Sequence, residues 1–124
     1  MTADLIARLE AAERGSRELD GEIATLIGWK EILAECWEAP DEACSLWHHP
    51  PTFTTSIDAI AALTAEKLPG WSVSSALSQS HARANVWRMS PISRGSFPPK
   101  HATAKTEPLA RCIALLRALE RIER

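Results

Sequence analysis

The stretch PPTFTTSIDAIAALTAEKLPGW, residues 50–71, contains a rigid start, a capped helix and a tight exit turn. Its first two prolines, Pro50 and Pro51, fix two φ angles and end whatever element precedes them. Hydroxyls that can cap the free amides of a first turn belong to Thr54, Thr55 and Ser56. Apolar or small residues recur at helical spacing at Ile57, Ile60, Ala61, Thr64 and Leu68. The pattern predicts a helix from about Ser56 to Leu68 that lies on a core, and Pro69-Gly70 turns the chain into a strand.

Two short helices are predicted before this stretch. The first begins at Thr2 and ends before Gly15, and the second is capped by Ser16 and ends at Gly28. The apolar period then changes, and we expect a β-hairpin with strands near 33–38 and 43–48 around a turn at Pro40.

Two further strands are predicted after the central helix, at about 71–77 and 84–87, joined through residues 78–81. Residues 91–106 contain four of the prolines and glycines that exclude regular structure, so we expect a long loop. A final amphipathic helix begins at Thr106-Glu107-Pro108. The element order ααββαββα predicts one α+β domain over residues 1–124, with an antiparallel sheet of about four strands packed with helices as an α/β sandwich.

Composition is ordinary for a globular protein. The chain has 124 residues, of which 45% are hydrophobic and 24% charged, enough to bury a real core in one domain. No apolar run approaches the roughly 20 residues that span a bilayer, and the N-terminus has no signal-peptide pattern. Three cysteines are an odd and sparse set, which favours a reducing compartment. We therefore expect a cytoplasmic protein that does not associate with membranes.

The net charge of −2 hides a division along the chain. Up to Pro69 there are five Lys/Arg against thirteen Asp/Glu, and from Gly70 onward there are nine against three. Residues 71–106 contain no carboxylate at all. The division can mark an anion-binding surface in the second half. It can equally mean that the two halves attract each other, within one domain or across a homodimer.

Three stretches carry a resemblance to a known family. They are LIARLEAAERGSRELDGEIATLIGW at 5–29, PTFTTSIDAIAAL followed by LPGW within 51–71, and EPLARCIALLRALE at 107–120. In order and spacing they are similar to the phage ABA sandwich domain family of small phage and prophage proteins. The resemblance implies an α/β sandwich and an origin in a phage or an integrated prophage. It implies no catalytic residues, and residues 30–50 and 80–105 diverge from it.

Catalytic and metal motifs are weak. Cys36, Cys44, His48 and His49 fall within fourteen positions, but the paired C-x₂-C spacing of structural zinc sites is missing. In a hairpin the two cysteines can simply face each other as small buried residues. Cys112 lies on the apolar stripe of the last helix, where burial is expected rather than nucleophilic reactivity. No G-x-S-x-G, Walker or G-x-G-x-x-G pattern occurs, so we expect no enzymatic activity, no metal and no cofactor.

The carboxylate-free region gives the candidate binding site. Its basic side chains suit phosphate groups, and a tryptophan beside them is typical of base stacking. The predicted ligand-binding residues are Arg83, Arg88, Arg94, Lys100, His101 and Trp87. The alternative is that these residues form a solvated loop that pairs with the acidic half.

Three functions remain open from the sequence. The first is a counter-defence phage protein that sequesters a small phosphate-bearing signalling nucleotide. The second is a protein-level inhibitor of a host defence complex, of the anti-CRISPR type, which acts through its acidic N-terminal half. The third is a structural phage protein that forms homo-oligomers through the last helix or a free sheet edge. Duplex nucleic acid is a poor partner for an acidic protein, because the net charge repels it.

Overall fold

The computed structural model describes residues 2–33, 35–40, 46–87 and 100–122, with the side chains of Lys100, His101, Arg121 and Ile122 left out. Over these residues the chain is α+β, as the sequence predicts. Its elements are α1 (Thr2–Ala11), α2 (Arg17–Leu26), β1 (Lys30–Leu33), β2 (Cys36–Glu38), β3 (Leu46–Trp47), α3 (Ile57–Lys67), β4 (Ser72–Leu77), β5 (Ala82–Trp87), β6 (Lys100–Ala104) and α4 (Glu107–Ile122).

The strands form two small antiparallel sheets, with the orders β1-β2-β3 and β4-β5-β6. The predicted single sheet of about four strands and the order ααββαββα are not confirmed. One reason is Glu35, whose φ of 59° makes a tight turn inside the segment that we predicted as one strand at 33–38. That turn divides the segment into β1 and β2, and β3 follows as a third strand of only two residues.

The strand β6 is the second reason, because it lies inside the segment predicted as a loop. Its period of two is visible in burial: Ala102 and Ala104 are buried and Thr103 between them is exposed. Alanine has a low strand propensity, so packing rather than local preference forms this strand. Residues 91–99 of the predicted loop lie outside the described part of the chain.

Helix α4 is the centre of the core. It packs against β5 and β6 on one side and against α1 and α3 on others. Leu109, Ile113 and Leu115 on it are completely buried. The facing positions of the second sheet are small, namely Ala82, Ala84, Ala102 and Ala104, which lets the helix come close to the strands.

The predicted helix starts are confirmed at two serines. Ser16 Oγ accepts the Leu19 N–H at 3.2 Å at the start of α2, and Ser56 Oγ accepts the Ala59 N–H at 3.2 Å at the start of α3. The predicted apolar stripe of α3 needs one correction. Ile57 is 40% exposed, and Leu63, at 5%, is buried beside Ile60.

Candidate functional site

An open groove of about 1350 Å³ lies between α1, α2 and the first sheet. Of the described residues, five carboxylates line it, namely Asp4, Glu18, Glu22, Glu31 and Glu35. The other titratable groups that the structure describes in its lining are the guanidinium groups of Arg8 and Arg17 and the imidazoles of His48 and His49. The groove therefore has a negative lining, as the acidic bias of the N-terminal half suggests.

Arg8 is the point where α1 is tied to α2 across the groove. It forms ion pairs with Glu18, at 3.2 Å, and with Glu22. The second carboxylate oxygen of Glu22 is buried and has no hydrogen-bond partner among the residues that the structure describes. Because Arg8 is already paired with two glutamates, it does little to offset the charges of Asp4, Glu31 and Glu35.

Apolar surface alternates with these charges in the groove. Leu26 at the end of α2 is 44% exposed, and Trp37 on β2 is half-buried. The Trp37 ring packs on Gly21 of α2, where an added Cβ would lie 3.3 Å from two ring carbons. The sheet is therefore seated directly on α2, and this contact sets the width of the groove.

A buried hydrogen-bond cluster fixes the loop that leads from the groove into α3. Thr54 Oγ1 donates to Asp20 Oδ1 at 2.6 Å and lies 2.9 Å from the Ser16 N–H, which donates to it. Burial raises the pKa of Asp20 above its ordinary value of 3.8, and the hydrogen bonds from Thr54 offset only part of that effect. Sequence patterns had suggested Thr54 as a helix cap, and the structure instead gives it this partner from α2.

The second described cavity is smaller, at about 330 Å³, and is largely apolar. Trp29, Trp47 and Phe53 line it, and the Trp29 and Trp47 rings meet edge to face with centroids 5.6 Å apart. Trp29 is buried and Trp47 is 46% exposed, so this cavity opens beside the first sheet. Glu66 is the charged residue in its lining.

The predicted ligand-binding residues are only partly brought together. Arg83 is exposed and Trp87 is half-buried, and both lie on the face of β5 that points away from the buried Ala84 and Val86. Their Cα atoms are about 13 Å apart, at ~3.3 Å per strand residue. Asn85 lies between them, and its buried Oδ1 has no hydrogen-bond partner among the described side chains.

The other four predicted ligand-binding residues are Lys100, His101, Arg88 and Arg94. Lys100 and His101 belong to β6, where they pair in register with Val86 and Asn85. His101 is thus at the register position next to Arg83 and Trp87, whereas Lys100 is not. Arg88 and Arg94 lie outside the described residues.

Ser75 on β4 carries a polar cluster that sequence reasoning missed. Its hydroxyl donates to Glu107 Oε2 at 2.8 Å and accepts from Arg111 Nε at 2.8 Å. The two charged residues come from the first turns of α4, so the cluster connects that helix to the edge of the second sheet. The sequence signal was available, since Glu107 and Arg111 are four residues apart on one helix face.

The cysteines show no arrangement for catalysis or metal binding among the described residues. Cys112 is buried, its thiol donates to the Phe53 carbonyl at 3.3 Å, and burial raises its pKa far above the ordinary range. Cys36 is a half-buried free thiol on β2, and Cys44 lies outside the described residues. In the part of the chain that is described, no three His, Cys, Asp or Glu side chains cluster as metal ligands would.

A scan against protein-family models, a search of curated proteins and a search of solved structures each found no match to this chain. By its fold and by the lining of this groove, the described chain is an α+β protein with an acidic groove. Among the described helices, none has the length and apolar character needed to cross a membrane.

Proposed function

We propose that this chain is a non-enzymatic binding protein whose acidic groove takes a cationic segment of a protein partner. The observation that supports it is the lining of the groove, with five carboxylates against two arginines. One of those arginines, Arg8, is already held by Glu18 and Glu22. Lysine or arginine side chains of a partner would supply the missing positive charge.

The size of the groove favours a polypeptide segment over a small molecule. Pockets for drug-sized ligands usually measure about 300–1,000 Å³ and enclose most of the ligand. This groove, at about 1350 Å³, is larger and open along its length. Leu26 and Trp37 offer apolar surface on which the aliphatic stems of lysine or arginine can lie while their charged ends reach the carboxylates.

The biological setting that we propose rests on the resemblance of the three sequence stretches. It is a phage or prophage protein that acts in the cytoplasm of an infected bacterial host. A groove that binds basic segments would suit an inhibitor that occupies the nucleic-acid-binding surface of a host defence complex, because such surfaces are rich in lysine and arginine.

Fluorescence titration with a labelled arginine-rich peptide tests the groove. Glu31→Lys reverses an exposed charge inside it, and Glu66→Lys makes the same charge change on α3, outside it. We expect Glu31→Lys to weaken binding about tenfold, which corresponds to ~1.4 kcal/mol, and Glu66→Lys to change it less than twofold. Equal losses in both variants would mean that only the net charge attracts the peptide, and the groove would lose its proposed role.

A second candidate, binding of a phosphate-bearing nucleotide, is favoured by one observation. Arg83 and Trp87 share a face of β5, and between them lies the Asn85 amide oxygen, which has no partner within the described part of the chain. A guanidinium, an acceptor and an aromatic ring in a row are groups that hold a phosphate and a base. A thermal-shift panel of linear and cyclic nucleotides tests this site. We expect a nucleotide to raise the melting temperature of the unchanged chain and of Arg17→Ala, and to leave that of Arg83→Ala unchanged. If no nucleotide in the panel raises the melting temperature, nucleotide binding is rejected, and the proposal for the acidic groove is unaffected.

A further inference from the structure

The four sheet edges differ in how they avoid pairing with another chain. Strand β1 contains Lys30 and Glu31 and has a register shift between Glu31 and Leu33, and β3 has only two residues. Strand β6 begins at a lysine and lies against α1. Charges, bulges, short strands and covering elements are the means by which natural proteins protect sheet edges.

Strand β4 has no charge, no register shift and no shortened length to protect it, although α4 lies against it. Its six residues, Ser72–Leu77, include no charged residue and no proline. Its register with β5 runs through six consecutive pairs without a shift, so the strand is regular. Within the described ranges, no strand pairs with its other edge, and Leu77 at its end is 65% exposed. It therefore offers a row of backbone N–H and C=O groups to another strand.

We infer that β4 pairs antiparallel with β4 of a second copy of this chain, which joins two three-stranded sheets into one sheet of six strands. The inference is independent of the acidic groove, because that groove belongs to α1, α2 and the first sheet. The occupant is a second copy because the strand carries no charge that would select a different partner, and because its sequence is self-complementary in one register.

Symmetry restricts that register. A two-fold axis through the pair of edges must be perpendicular to the sheet, so the same face of both copies lies on the same side. Residues directly opposite each other always share a face, so the numbers of a pair must be both odd or both even. An axis at Ser75 places Val73 opposite the partner's Leu77 twice and Ser74 opposite the partner's Ala76 twice. An axis at Ser74 places Leu77 opposite the partner's Trp71, which precedes β4, so the Ser75 register is the one that pairs Val73 with Leu77 inside the strand.

The polar cluster at Ser75 fits the same axis. Each copy holds Glu107 and Arg111 on its Ser75 hydroxyl, and both charged side chains are partly exposed. At the axis the Cα atoms of the two Ser75 residues lie about 4.5–5.5 Å apart. The carboxylate of each copy then comes near the guanidinium of the other, so the two clusters are complementary in charge.

Sedimentation velocity over a range of concentrations tests the dimer. Ser74→Lys places like charges at the proposed interface, and Thr103→Lys makes the same change on the exposed face of β6. We expect a dimer for the unchanged chain and for Thr103→Lys, and a dissociation constant at least tenfold higher for Ser74→Lys. Leu77→Lys, at a position that is 65% exposed, serves as a second disrupting variant if Ser74→Lys fails to fold by circular dichroism.

Oxidative crosslinking tests the register in a Cys36→Ser/Cys44→Ser background. Ser75→Cys should crosslink rapidly, because two thiols at the axis lie within disulfide distance, whereas Ser74→Cys should crosslink at least tenfold more slowly. A chain that stays monomeric at millimolar concentration overturns the inference. A dimer that Thr103→Lys disrupts and both β4 variants leave intact also overturns it, as does faster crosslinking through Ser74→Cys.

Discussion

Asp20 Oδ1 accepts two hydrogen bonds from one residue, Thr54, from its backbone N–H at 2.8 Å and from its hydroxyl at 2.6 Å. The two residues are 34 positions apart, and both are buried. This contact ties the start of α2 to the loop that leads into α3, and that loop includes Pro50 on the wall of the acidic groove. The groove therefore depends on a polar contact in the interior.

Removing the Asp20 carboxyl should destabilise the fold strongly. Asp20→Ala leaves the buried N–H of Thr54 without its acceptor, whereas the Thr54 hydroxyl can still donate to the Ser16 carbonyl at 3.1 Å. We expect the free energy of unfolding to fall by ~1–3 kcal/mol in urea titrations, with Asp58→Ala on the exposed start of α3 as the control. A loss close to that of Asp58→Ala would show that the Thr54 N–H finds another acceptor.

The same carboxyl should make stability depend on pH. Because burial raises the pKa of Asp20, the folded state binds its proton more tightly than the unfolded state does. The resulting stabilisation is present at low pH and is lost as the pH rises from 3.8 through the higher folded pKa. Relative to Asp20→Asn, which cannot titrate, the unchanged chain should lose stability as the pH rises above 3.8. If the difference in unfolding free energy between the two chains does not change with pH, Asp20 does not have a raised pKa in the folded state.

Gly15 should tolerate no side chain, because Thr54 occupies the space beside it. A Cβ built on Gly15 would overlap the backbone carbonyl of Thr54. Gly15→Ala should cost about 3 kcal/mol of stability, in the range of overpacked sites. Gly70→Ala is the matched control, since Gly70 has a φ of 85° and open space around it, and should cost only ~1–2 kcal/mol of backbone strain. Similar urea midpoints for the two variants would argue against the close approach.

These contacts show which parts of the fold the sequence could predict. The serine caps at Ser16 and Ser56 are local, because a hydroxyl three residues before an amide is visible in the sequence. The role of Thr54 is not local, because its partner Asp20 is brought to it only by the packing of α2. Strand β6 was missed for a similar reason, since its buried alanines gain their strand conformation from α4 and β5.

The candidate site, like the fold, has features that the sequence could predict and features that it could not. The excess of carboxylates before Pro69 is visible in composition, and it indicates an acidic surface. The groove forms because α1, α2 and the first sheet enclose part of this acidic surface, and this enclosure depends on the packing of Trp37 on Gly21. No periodic pattern in the sequence indicates that contact. Arg83 and Trp87, both predicted as ligand-binding residues, lie on one face of β5 because side chains alternate along a strand; the predicted strand at about 84–87 did not include Arg83.

Cys112 should be inert in the folded protein. Its thiol is buried and donates to the Phe53 carbonyl, and burial raises its pKa so that almost no thiolate forms at neutral pH. In a Cys36→Ser/Cys44→Ser variant, where Cys112 is the remaining thiol, a disulfide reagent such as DTNB should give no colour until urea unfolds the chain. Rapid labelling of the native variant would contradict the burial of this thiol.

The start of α3 allows a test of which hydroxyl caps it. Thr54, Thr55 and Ser56 all precede the helix, but only Ser56 among them has its side-chain oxygen bonded to a first-turn amide, that of Ala59, in the described structure. Ser56→Ala should therefore cost about 1 kcal/mol. Thr55→Ala, at an exposed position of the same turn, should lie within ~0.5 kcal/mol of the unchanged chain. Chemical denaturation of the two variants decides between the hydroxyls, because a larger loss at Thr55 would transfer the capping role to that residue and shift the start of the helix.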